Sequence, residues 1–454
     1  MERYDVIVLG SGCGLSIALQ AASMGKKTAL VEPGWLGGTC VNTGCIPSKI
    51  LIAPADAVAE LDRARRLGVK VKMESTDAPG MLRRMRSSRA ASQRHLRHSV
   101  RETDGLDYVR VAGRFDAPGV IRAGHRQLSA PLIFIAAGAR TVVPPIAGLE
   151  SVDYLTNESL LELEQLPSSV IIMGGGYIAV EFGHFLAAMG TRVTILEMLD
   201  RLVTSEEPEI SATLQRELST RARVVTGAKV ESVTRSGRGV TVKARMVDGG
   251  EPRSFRAERL LVAVGRRSNA DEIAAEKAGI VVDRRGFIEV DGQLRTNQKG
   301  VFAVGDINGK AMFRHAANVQ AAVAAANGLA GESIEMDYHA LPHAVYSWPQ
   351  IASVGLTEAQ ARDAGLDVTA LLTPYSSVAK GEALAEDAGF TKVVVENGTE
   401  KIVGFHIIGP HAPILIQEVV NAMQSGGNLD EIARGVHIHP ELTELIPSSF
   451  EGLA

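Results

Sequence analysis

Two cysteines, Cys40 and Cys45, are the residues whose type and spacing point most directly to chemistry. They lie behind a glycine pair and ahead of a proline, in the run Gly37-Gly38-Thr39-Cys40-Val41-Asn42-Thr43-Gly44-Cys45-Ile46-Pro47-Ser48-Lys49. A proline at this place can open a helix, and a thiol near a helix N-terminus has a lowered pKa. Cysteines this close form a disulfide only where the backbone turns to bring their Cα atoms to about 6 Å. The run therefore predicts a dithiol that opens and closes.

Other uses of the cysteine pair fit the sequence less well. A zinc site needs about four ligands, and neither a second cysteine pair nor a histidine pair lies at metal-ligand spacing. A structural disulfide would close a very small loop in a chain long enough to bury a large core. Two unpaired core cysteines are the plainest alternative to redox use.

Length and composition bound the class of protein. The chain has 454 residues, which predicts about three domains, and its 45% hydrophobic and 22% charged residues are ordinary for a globular protein. A net charge of -4 gives no reason to expect nucleic acid or an anionic membrane as partner. Without a leader-like N-terminus or a long apolar run, and with only three cysteines, a cytoplasmic location is expected.

One basic stretch interrupts this ordinary composition. Its apolar stripe is thin, so we interpret it as a solvated helix face. The arginines concerned are Arg83, Arg84, Arg86, Arg89, Arg94, Arg97 and Arg101.

The N-terminal segment follows the order strand, glycine turn, helix, strand, over residues 5–9, 10–15, a helix through Ser23, and 28–32. Gly10 permits the tight turn, and Gly12 lets a pyrophosphate approach the helix N-terminus. Glu32 follows at the distance expected of an acid that binds a ribose hydroxyl. Leu15 occupies the third glycine position, which is a departure from the dinucleotide-binding pattern.

The same unit recurs in the middle of the chain. A strand at 169–173 is followed by Gly174-Gly175-Gly176-Tyr177-Ile178-Ala179 and by a strand at 192–197. That second strand ends at Glu197, whose charge would repel a 2′-phosphate, so NADH is favoured over NADPH.

Together these residues resemble the flavin-dependent pyridine nucleotide–disulfide oxidoreductases over nearly the whole chain. The resemblance implies an α/β fold with two Rossmann-like nucleotide-binding domains, for FAD and NAD, plus a C-terminal α+β dimerisation domain. The expected boundaries are 1–150 and 269–335 for the FAD-binding domain, 151–268 for the NAD-binding domain, and 336–454 for the dimerisation domain.

The C-terminal region is expected to form a homodimer through a mixed sheet with helices. Strands are predicted at 343–346, 351–354, 392–395 and 402–408, the last two around the hairpin signal Asn397-Gly398. A helix is predicted at 414–423.

Roles for six catalytic residues come from the resemblance. Cys40 would exchange with substrate and Cys45 would face the flavin, while Lys49 would lie near the flavin and pair with Glu181. His439 would act as base on the partner subunit's dithiol. Glu444, five residues beyond His439, would orient it.

Cofactor-binding residues are also implied by the resemblance. Short turns at Ala137-Gly138 and 264–267 resemble the chain crossings between the nucleotide domains, and 301–306 resembles the second FAD motif. The full expected set is Gly10, Gly12, Gly14, Glu32, Gly38, Thr39, Lys49, Gly113, Ala137, Gly138, Gly174, Gly176, Tyr177, Ile178, Glu197, Gly265, Arg266, Gly305 and Asp306.

Within the family, dihydrolipoamide oxidation by NAD+ is the expected reaction, on a lipoyl-carrying protein or a small dithiol. Two features fit that branch less well. Tyr177 is more like the tyrosine lid of glutathione reductase, and residues 312–318 differ from the usual His-Lys-Ala-Glu stretch. Mercuric, mycothione and glutathione-type reductases remain alternatives, although no C-terminal cysteine pair is present for mercury. A catalytically inactive flavoprotein that serves as a subunit of another assembly is a further alternative. It is disfavoured because both cysteines, His439 and Glu444 are present.

Overall fold

The computed structural model describes residues 1–453 and confirms the α/β class. No helix among these residues is both long enough and apolar enough to cross a bilayer. The α-helices, in chain order, are α1 (Gly14–Ser23), α2 (Gly38–Asn42), α3 (Cys45–Arg66), α4 (Ala78–Arg101), α5 (Asn157–Leu160), α6 (Tyr177–Ala188), α7 (Pro208–Leu218), α8 (Arg314–Ala325), α9 (Glu358–Asp363), α10 (Ala379–Ala383), α11 (Ala412–Gln424), α12 (Asp430–Ala433) and α13 (Leu445–Ser448).

The strands, in chain order, are β1 (Glu2–Arg3), β2 (Val6–Leu9), β3 (Thr28–Val31), β4 (Leu106–Val109), β5 (Gly113–Ala117), β6 (Val120–Ala123), β7 (Arg126–Ser129), β8 (Leu132–Ile135), β9 (Ala139–Thr141), β10 (Ser169–Met173), β11 (Arg192–Leu196), β12 (Arg223–Val225), β13 (Ala228–Ser236), β14 (Gly239–Met246), β15 (Arg253–Ala257), β16 (Arg259–Val262), β17 (Arg266–Ser268), β18 (Val301–Ala303), β19 (His343–Val345), β20 (Ile351–Gly355), β21 (Val368–Pro374), β22 (Phe390–Glu396) and β23 (Lys401–Ile408).

The chain divides into two compact units. The first comprises Met1–Ile50, Gly80–Val142 and Gly265–Met336. Its main sheet has the order β18-β8-β2-β3-β4 with every pairing parallel. The strands β2 and β3 are buried on both faces, as their continuous apolar runs predict. The predicted order of strand, glycine turn, helix and strand is confirmed here.

The second unit comprises Leu51–Pro79, Val143–Val264 and the chain from Asp337 on. It contains a second parallel sheet, in the order β12-β11-β10-β16, which confirms the repeated unit predicted from the second glycine run. The meander β13-β14-β15 packs its buried face against this sheet through an apolar cluster that includes Val242 and Leu260.

The C-terminal sheet differs from the expectation. Its order is β19-β20-β23-β22-β21 and every pairing is antiparallel, so the prediction of a mixed sheet is wrong. Short connections such as Asn397-Gly398 join neighbouring strands directly, which favours antiparallel pairing. The hairpin between β22 and β23 is confirmed, and α11 covers the sheet with Val419 fully buried.

The arginine-rich stretch forms α4, and its interpretation as a solvated face needs one correction. Arg83, Arg84, Arg94 and Arg97 are exposed as predicted. Arg89 is buried instead, at 6% exposure, on the same stripe as the fully buried Leu82 and Met85. The long aliphatic stem of an arginine lets it take a core position where polar partners meet its head group.

Candidate functional site

The two cysteines lie on consecutive helices joined by a tight turn. Cys40 is in the middle of the short helix α2, and Cys45 is the first residue of α3. Gly37 begins this region with φ +90°, a conformation that glycine adopts without strain. A Cβ at Gly44 would come within 3.0 Å of the Thr39 carbonyl oxygen, so the turn between the helices leaves little room for a side chain.

The thiols of Cys40 and Cys45 are free and hydrogen-bond to each other, with Cys40 donating. This bond lowers the pKa of Cys45 to about 7, with help from Lys49 and the Cys45 backbone amide, while partial desolvation of the surface-exposed thiol opposes the shift. The same bond, followed by burial, raises the pKa of Cys40 well above its ordinary value. Because one proton is shared between two sulfur atoms, Cys45 is the natural thiolate and Cys40 keeps the proton.

Two cations support the thiolate. Lys49 lies on α3, one turn after Cys45, as the sequence predicted. Arg314, the first residue of α8, also lowers the pKa of both cysteines through its charge. The local sequence pattern does not single out Arg314, although it lies in the segment 312–318 that departs from the family pattern.

The third cysteine has a different environment. Cys13 is buried at the N-terminus of α1, and burial raises its pKa to about 11. A Cβ built on Gly305 would approach the Cys13 sulfur to 3.2 Å, so this thiol is packed against backbone. It has the character of an inert core cysteine.

The turn between β2 and α1 has the shape that a dinucleotide requires. Gly10 has φ +95°, and a Cβ there would meet the Ala136 carbonyl oxygen at 2.3 Å. By contrast, nothing lies within 4 Å of a Cβ built on Gly12, so open space faces that backbone. Glu32 follows β3 and accepts hydrogen bonds from the Ser11 amide and hydroxyl, both at 2.9 Å. The residues present therefore fit FAD.

The departure at Leu15 is explained by its neighbour. Gly14 is the first residue of α1, and a Cβ there would lie 2.7 Å from Val8 and 2.8 Å from Ala136 side-chain atoms. Gly14 thus provides the close approach of helix to strand that the third glycine normally allows. Leu15 can then be a core residue, and it is 8% exposed.

Other predicted FAD-binding residues belong to the same compact unit as this turn. Asp306 lies 3.6 Å from Arg266, and burial raises the pKa of its carboxyl group. The Gly305 amide donates to Gln320 at 2.7 Å. The Asn269 side chain donates to the Ala137 carbonyl at 2.8 Å.

The remaining members of this set are backbone positions of the first unit. Gly138 accepts a hydrogen bond from the Asn269 amide at 3.1 Å. Gly265 has φ +126° and Gly113 begins β5. Thr39 is an exposed residue of α2. The crossing segments pair as β9 and β17, antiparallel, between Ala139–Thr141 and Arg266–Ser268.

The second glycine turn repeats the geometry of the first. A Cβ at Gly174 would meet the Ala263 carbonyl oxygen at 2.3 Å, whereas nothing lies within 4 Å of one at Gly176. Glu197 follows β11, accepts from the Leu199 amide at 2.7 Å, and places its other carboxyl oxygen beside Gly175. This turn therefore fits a nicotinamide dinucleotide.

The first turn of α6 follows Gly176 directly. Tyr177 begins the helix and is 36% exposed, and Ile178 next to it is half-buried. Glu181, one turn further on, is buried and accepts a hydrogen bond from the Tyr346 amide at 3.0 Å.

His439 and Glu444 are paired as the sequence predicts. The His439 Nδ1 atom lies 2.8 Å from a Glu444 carboxylate oxygen, and this bond lowers the pKa of Glu444. The other Glu444 oxygen accepts from the Glu441 amide at 3.1 Å. His437 has a separate partner, Glu418, at 2.7 Å. The imidazole of His439 is therefore oriented through Nδ1, which leaves Nε2 to accept a proton.

Comparison with known proteins identifies this arrangement. Residues 4–326 match the pyridine nucleotide-disulphide oxidoreductase family, and residues 341–449 match the dimerisation domain of that family. Mycothione reductase of Mycobacterium tuberculosis is 35% identical over 474 residues, covering 100% of both chains. Dihydrolipoyl dehydrogenase of Chlamydia muridarum is 33% identical, covering 98% of this chain and 95% of the relative.

Solved structures agree with the sequence relatives. The HOCl-induced flavoprotein disulfide reductase RclA from Escherichia coli, in a Cu(II) complex, superposes with a TM-score of 0.88 at 27% identity, covering 99% of each chain. LpdA from Mycobacterium tuberculosis gives a TM-score of 0.87 at 25% identity over 100% of each chain. The chain belongs to the FAD- and NAD(P)-dependent pyridine nucleotide-disulphide oxidoreductases.

Proposed function

We propose that this protein moves electrons between a dithiol substrate and NAD+ through Cys40 and Cys45, with dihydrolipoamide as the first candidate substrate. The observation that carries this proposal is the polarised thiol pair, in which Cys40 donates to Cys45 and Cys45 has a pKa of about 7. An inert pair of core cysteines would have raised pKa values on both thiols, as Cys13 does.

The proposed chemistry is thiol–disulfide exchange followed by electron transfer. A substrate thiolate attacks Cys40 of the oxidised pair, and Cys45 leaves as a thiolate. The second substrate thiol then displaces Cys40, which closes the substrate disulfide and leaves the pair as a dithiol. FAD, when bound, supplies the two-electron link between these thiols and the nicotinamide. The net change is dithiol plus NAD+ to disulfide plus NADH and a proton.

Each remaining catalytic residue has a proposed task. His439, held by Glu444, takes the proton of the attacking substrate thiol, and the proton of the second substrate thiol passes to the Cys40 sulfur as that sulfur is displaced. Lys49 stabilises the thiolate of Cys45. The pairing of Lys49 with Glu181 is part of the proposal.

The proposed domain boundaries are those predicted from the sequence, with the FAD-binding domain at 1–150 and 269–335, the NAD-binding domain at 151–268 and the dimerisation domain from 336. Two chains would form a homodimer through the last of these. His439 of one chain would then serve the dithiol of its partner.

For the nucleotide, NAD is proposed over NADP. The Glu197 carboxylate lies beside the second glycine turn, where it can accept from a ribose hydroxyl and repel a 2′-phosphate. The residues proposed to bind FAD are the expected cofactor-binding residues of the first unit, from Gly10 to Gly138 and from Gly265 to Asp306.

A low-molecular-weight disulfide of the mycothione type is the second candidate substrate. Two observations favour it: the 35% identical relative named mycothione reductase, and the exposed Tyr177 at the start of α6. In that case the flow of electrons would run from the nucleotide to the substrate disulfide, with the same cysteines and the same base.

A substrate panel distinguishes the candidates. The FAD-loaded protein is assayed with dihydrolipoamide and NAD+, and with oxidised mycothiol, oxidised glutathione and mercuric ion against NADH and NADPH. The proposal expects dihydrolipoamide to give the largest kcat/KM. Turnover of oxidised mycothiol with a kcat/KM more than tenfold higher would favour the second candidate. Flavin reduction by NADH without turnover of any disulfide would indicate a lapsed enzyme.

A further inference from the structure

The buried stripe of α4 is unusual in its composition. It consists of Leu82, Met85, Arg89, Gln93 and Val100, spaced three or four residues apart with one longer step. Arg89 and Gln93 are only 6% and 7% exposed. Burying such polar groups costs stability unless they find hydrogen-bond partners. Their partners therefore show what this part of α4 does.

Gln93 binds the segment that carries the redox cysteines. Its Nε2 atom donates to the Leu36 carbonyl at 2.6 Å and to the Asn42 side-chain oxygen at 2.8 Å. Both partners are acceptors, so the orientation of the Gln93 amide is fixed by its surroundings. Its own carbonyl oxygen is buried without a hydrogen-bond partner. A glutamine here serves as a donor, at the cost of an unsatisfied acceptor.

Arg89 holds the same segment at two other points. Its guanidinium lies 4.5 Å from the centre of the Trp35 ring, and Nη1 donates to the Asn42 backbone carbonyl at 3.4 Å. A planar guanidinium can stack and donate at once, which a lysine cannot do.

Asn42 connects Arg89 and Gln93 to both ends of α2 through its own hydrogen bonds. It is 5% exposed, and its Nδ2 atom donates to Leu36 at 3.0 Å and to Gly38 at 2.8 Å. Gly38 is the first residue of α2 and Asn42 the last, with Cys40 midway between them. The position of Cys40 is thus fixed from the side of α4.

We propose that Arg89 and Gln93 are positioning residues for the Cys40–Cys45 couple. This inference rests on the proposed function. When the couple is oxidised, two S–H bonds are lost, one S–S bond forms, a hydride equivalent passes to NAD+ and one proton is released. The equilibrium depends on how closely the Cys40 sulfur is held to Cys45 in the dithiol. The α4 contacts keep that separation short and so favour the disulfide.

The test compares substitutions on the two faces of α4. Gln93→Met keeps the side-chain size and removes both the donor and the unsatisfied acceptor of Gln93, but it leaves the buried Asn42 Oδ1 without its donor, so the thermal midpoint should fall somewhat. Arg89→Lys keeps the charge and loses the planar head group. Arg94→Met, on the exposed face of the same helix, is the matched control. The FAD-loaded proteins are equilibrated in dithiothreitol redox buffers, and the dithiol fraction is measured by thiol trapping and mass spectrometry.

We expect Gln93→Met to lower the equilibrium constant for disulfide formation at least threefold, which raises the midpoint potential by about 14 mV. Arg89→Lys should shift it in the same direction, and Arg94→Met should not shift it. Equal potentials for Gln93→Met and Arg94→Met would overturn the inference, whatever their thermal midpoints. If Gln93→Met did not fold, the comparison of Arg89→Lys with Arg94→Met would decide in the same way. Failure of the unsubstituted protein to titrate as a two-electron couple would instead reject the proposed function.

Discussion

Gly38 lies directly against Gly12, because a Cβ built on Gly38 would come within 2.9 Å of the Gly12 Cα atom. Gly38 begins the helix that carries Cys40, and Gly12 lies in the turn that fits the FAD pyrophosphate. The helix that carries Cys40 and the turn that fits the FAD pyrophosphate therefore touch through the backbone atoms of two glycines. Gly38 cannot carry a side chain without moving one of these elements relative to the other.

The first prediction concerns this contact. Gly38→Ala should lower the free energy of unfolding by about 1–3 kcal/mol and weaken FAD retention, because the residue has φ +60° and a backbone atom in the way of its Cβ. Gly25→Ala is the matched control, since Gly25 has φ +77° with nothing within 4 Å of a Cβ. Denaturant unfolding and FAD release are measured for both. Equal FAD release from the two variants would contradict the prediction.

The second prediction concerns the acidity of Cys45. The rate of iodoacetamide alkylation at this residue should rise with pH and reach half its maximum near pH 7, since its thiolate is stabilised first by the Cys40 hydrogen bond. Cys40→Ala removes that donor and should move the midpoint up towards about 8.5. Lys49→Met should move it up by less, because its charge is the smaller cause.

Alkylation of Cys45 is located by fragment-ion mass spectrometry of the reduced protein. Cys13→Ser is the control, because that thiol is buried and its pKa is raised mainly by burial. Superimposable profiles for Cys40→Ala and the unsubstituted protein would show that the hydrogen bond does not set the acidity of Cys45.

The sequence predicted those parts of the site that depend on short-range patterns. The cysteine spacing, both glycine turns, Glu32, Glu197 and the pair of His439 with Glu444 all lie where local spacing alone places them. The hydrophobic runs likewise predicted the strands of both parallel sheets, because buried parallel strands are apolar on both faces.

Contacts between distant segments could not be predicted in this way. Arg314 acts on cysteines more than 260 residues earlier in the chain, and only packing of α8 brings it there. Arg89 looked like one more solvated arginine, since periodicity does not show which polar residue has a partner across the core. Gly14, and not the residue at the third glycine position, Leu15, makes the close contact between helix and strand. Only the distance between α1 and β2 in the structure shows this.

The third prediction follows from the long-wavelength absorbance that a thiolate facing an oxidised flavin produces. Cys45→Ser should abolish this band in the two-electron-reduced enzyme, because Cys45 is the proposed thiolate. Cys40→Ser should keep a band, since it leaves the Cys45 sulfur in place. Persistence of the band in Cys45→Ser would reverse the assignment of the two cysteines.

The fourth prediction concerns the nucleotide. NADH should exceed NADPH by at least about tenfold in kcat/KM, because a lost hydrogen bond or an added repulsion at Glu197 is worth about 1.4 kcal/mol or more. Glu197→Gln should lower the ratio of kcat/KM for NADH to kcat/KM for NADPH, because it removes the charge while keeping an acceptor for the Leu199 amide. Steady-state rates with both nucleotides test this, and equal use by the unsubstituted protein would refute it.

The last prediction is that each active site is shared between two subunits. The dithiol lies near the N-terminus and the proposed base, His439, lies in the region that matches the dimerisation domain. We expect His439 of one chain to serve Cys40 of the other, so that each dimer has two composite sites. A Cys40→Ser chain and a His439→Gln chain should each form a nearly inactive homodimer that still binds FAD.

Mixing these two chains under conditions that exchange subunits tests the arrangement. In the heterodimer, one site combines both lesions, while the other combines an intact Cys40 with an intact His439. By the two-fold symmetry of the dimer, activity should return to at most about half per dimer. The control is a mixture of Cys40→Ser with Cys45→Ser chains, which should stay inactive because each site then has a defective dithiol. If mass spectrometry shows that the subunits have exchanged but the first mixture regains no activity, the base and the dithiol of each site belong to the same chain.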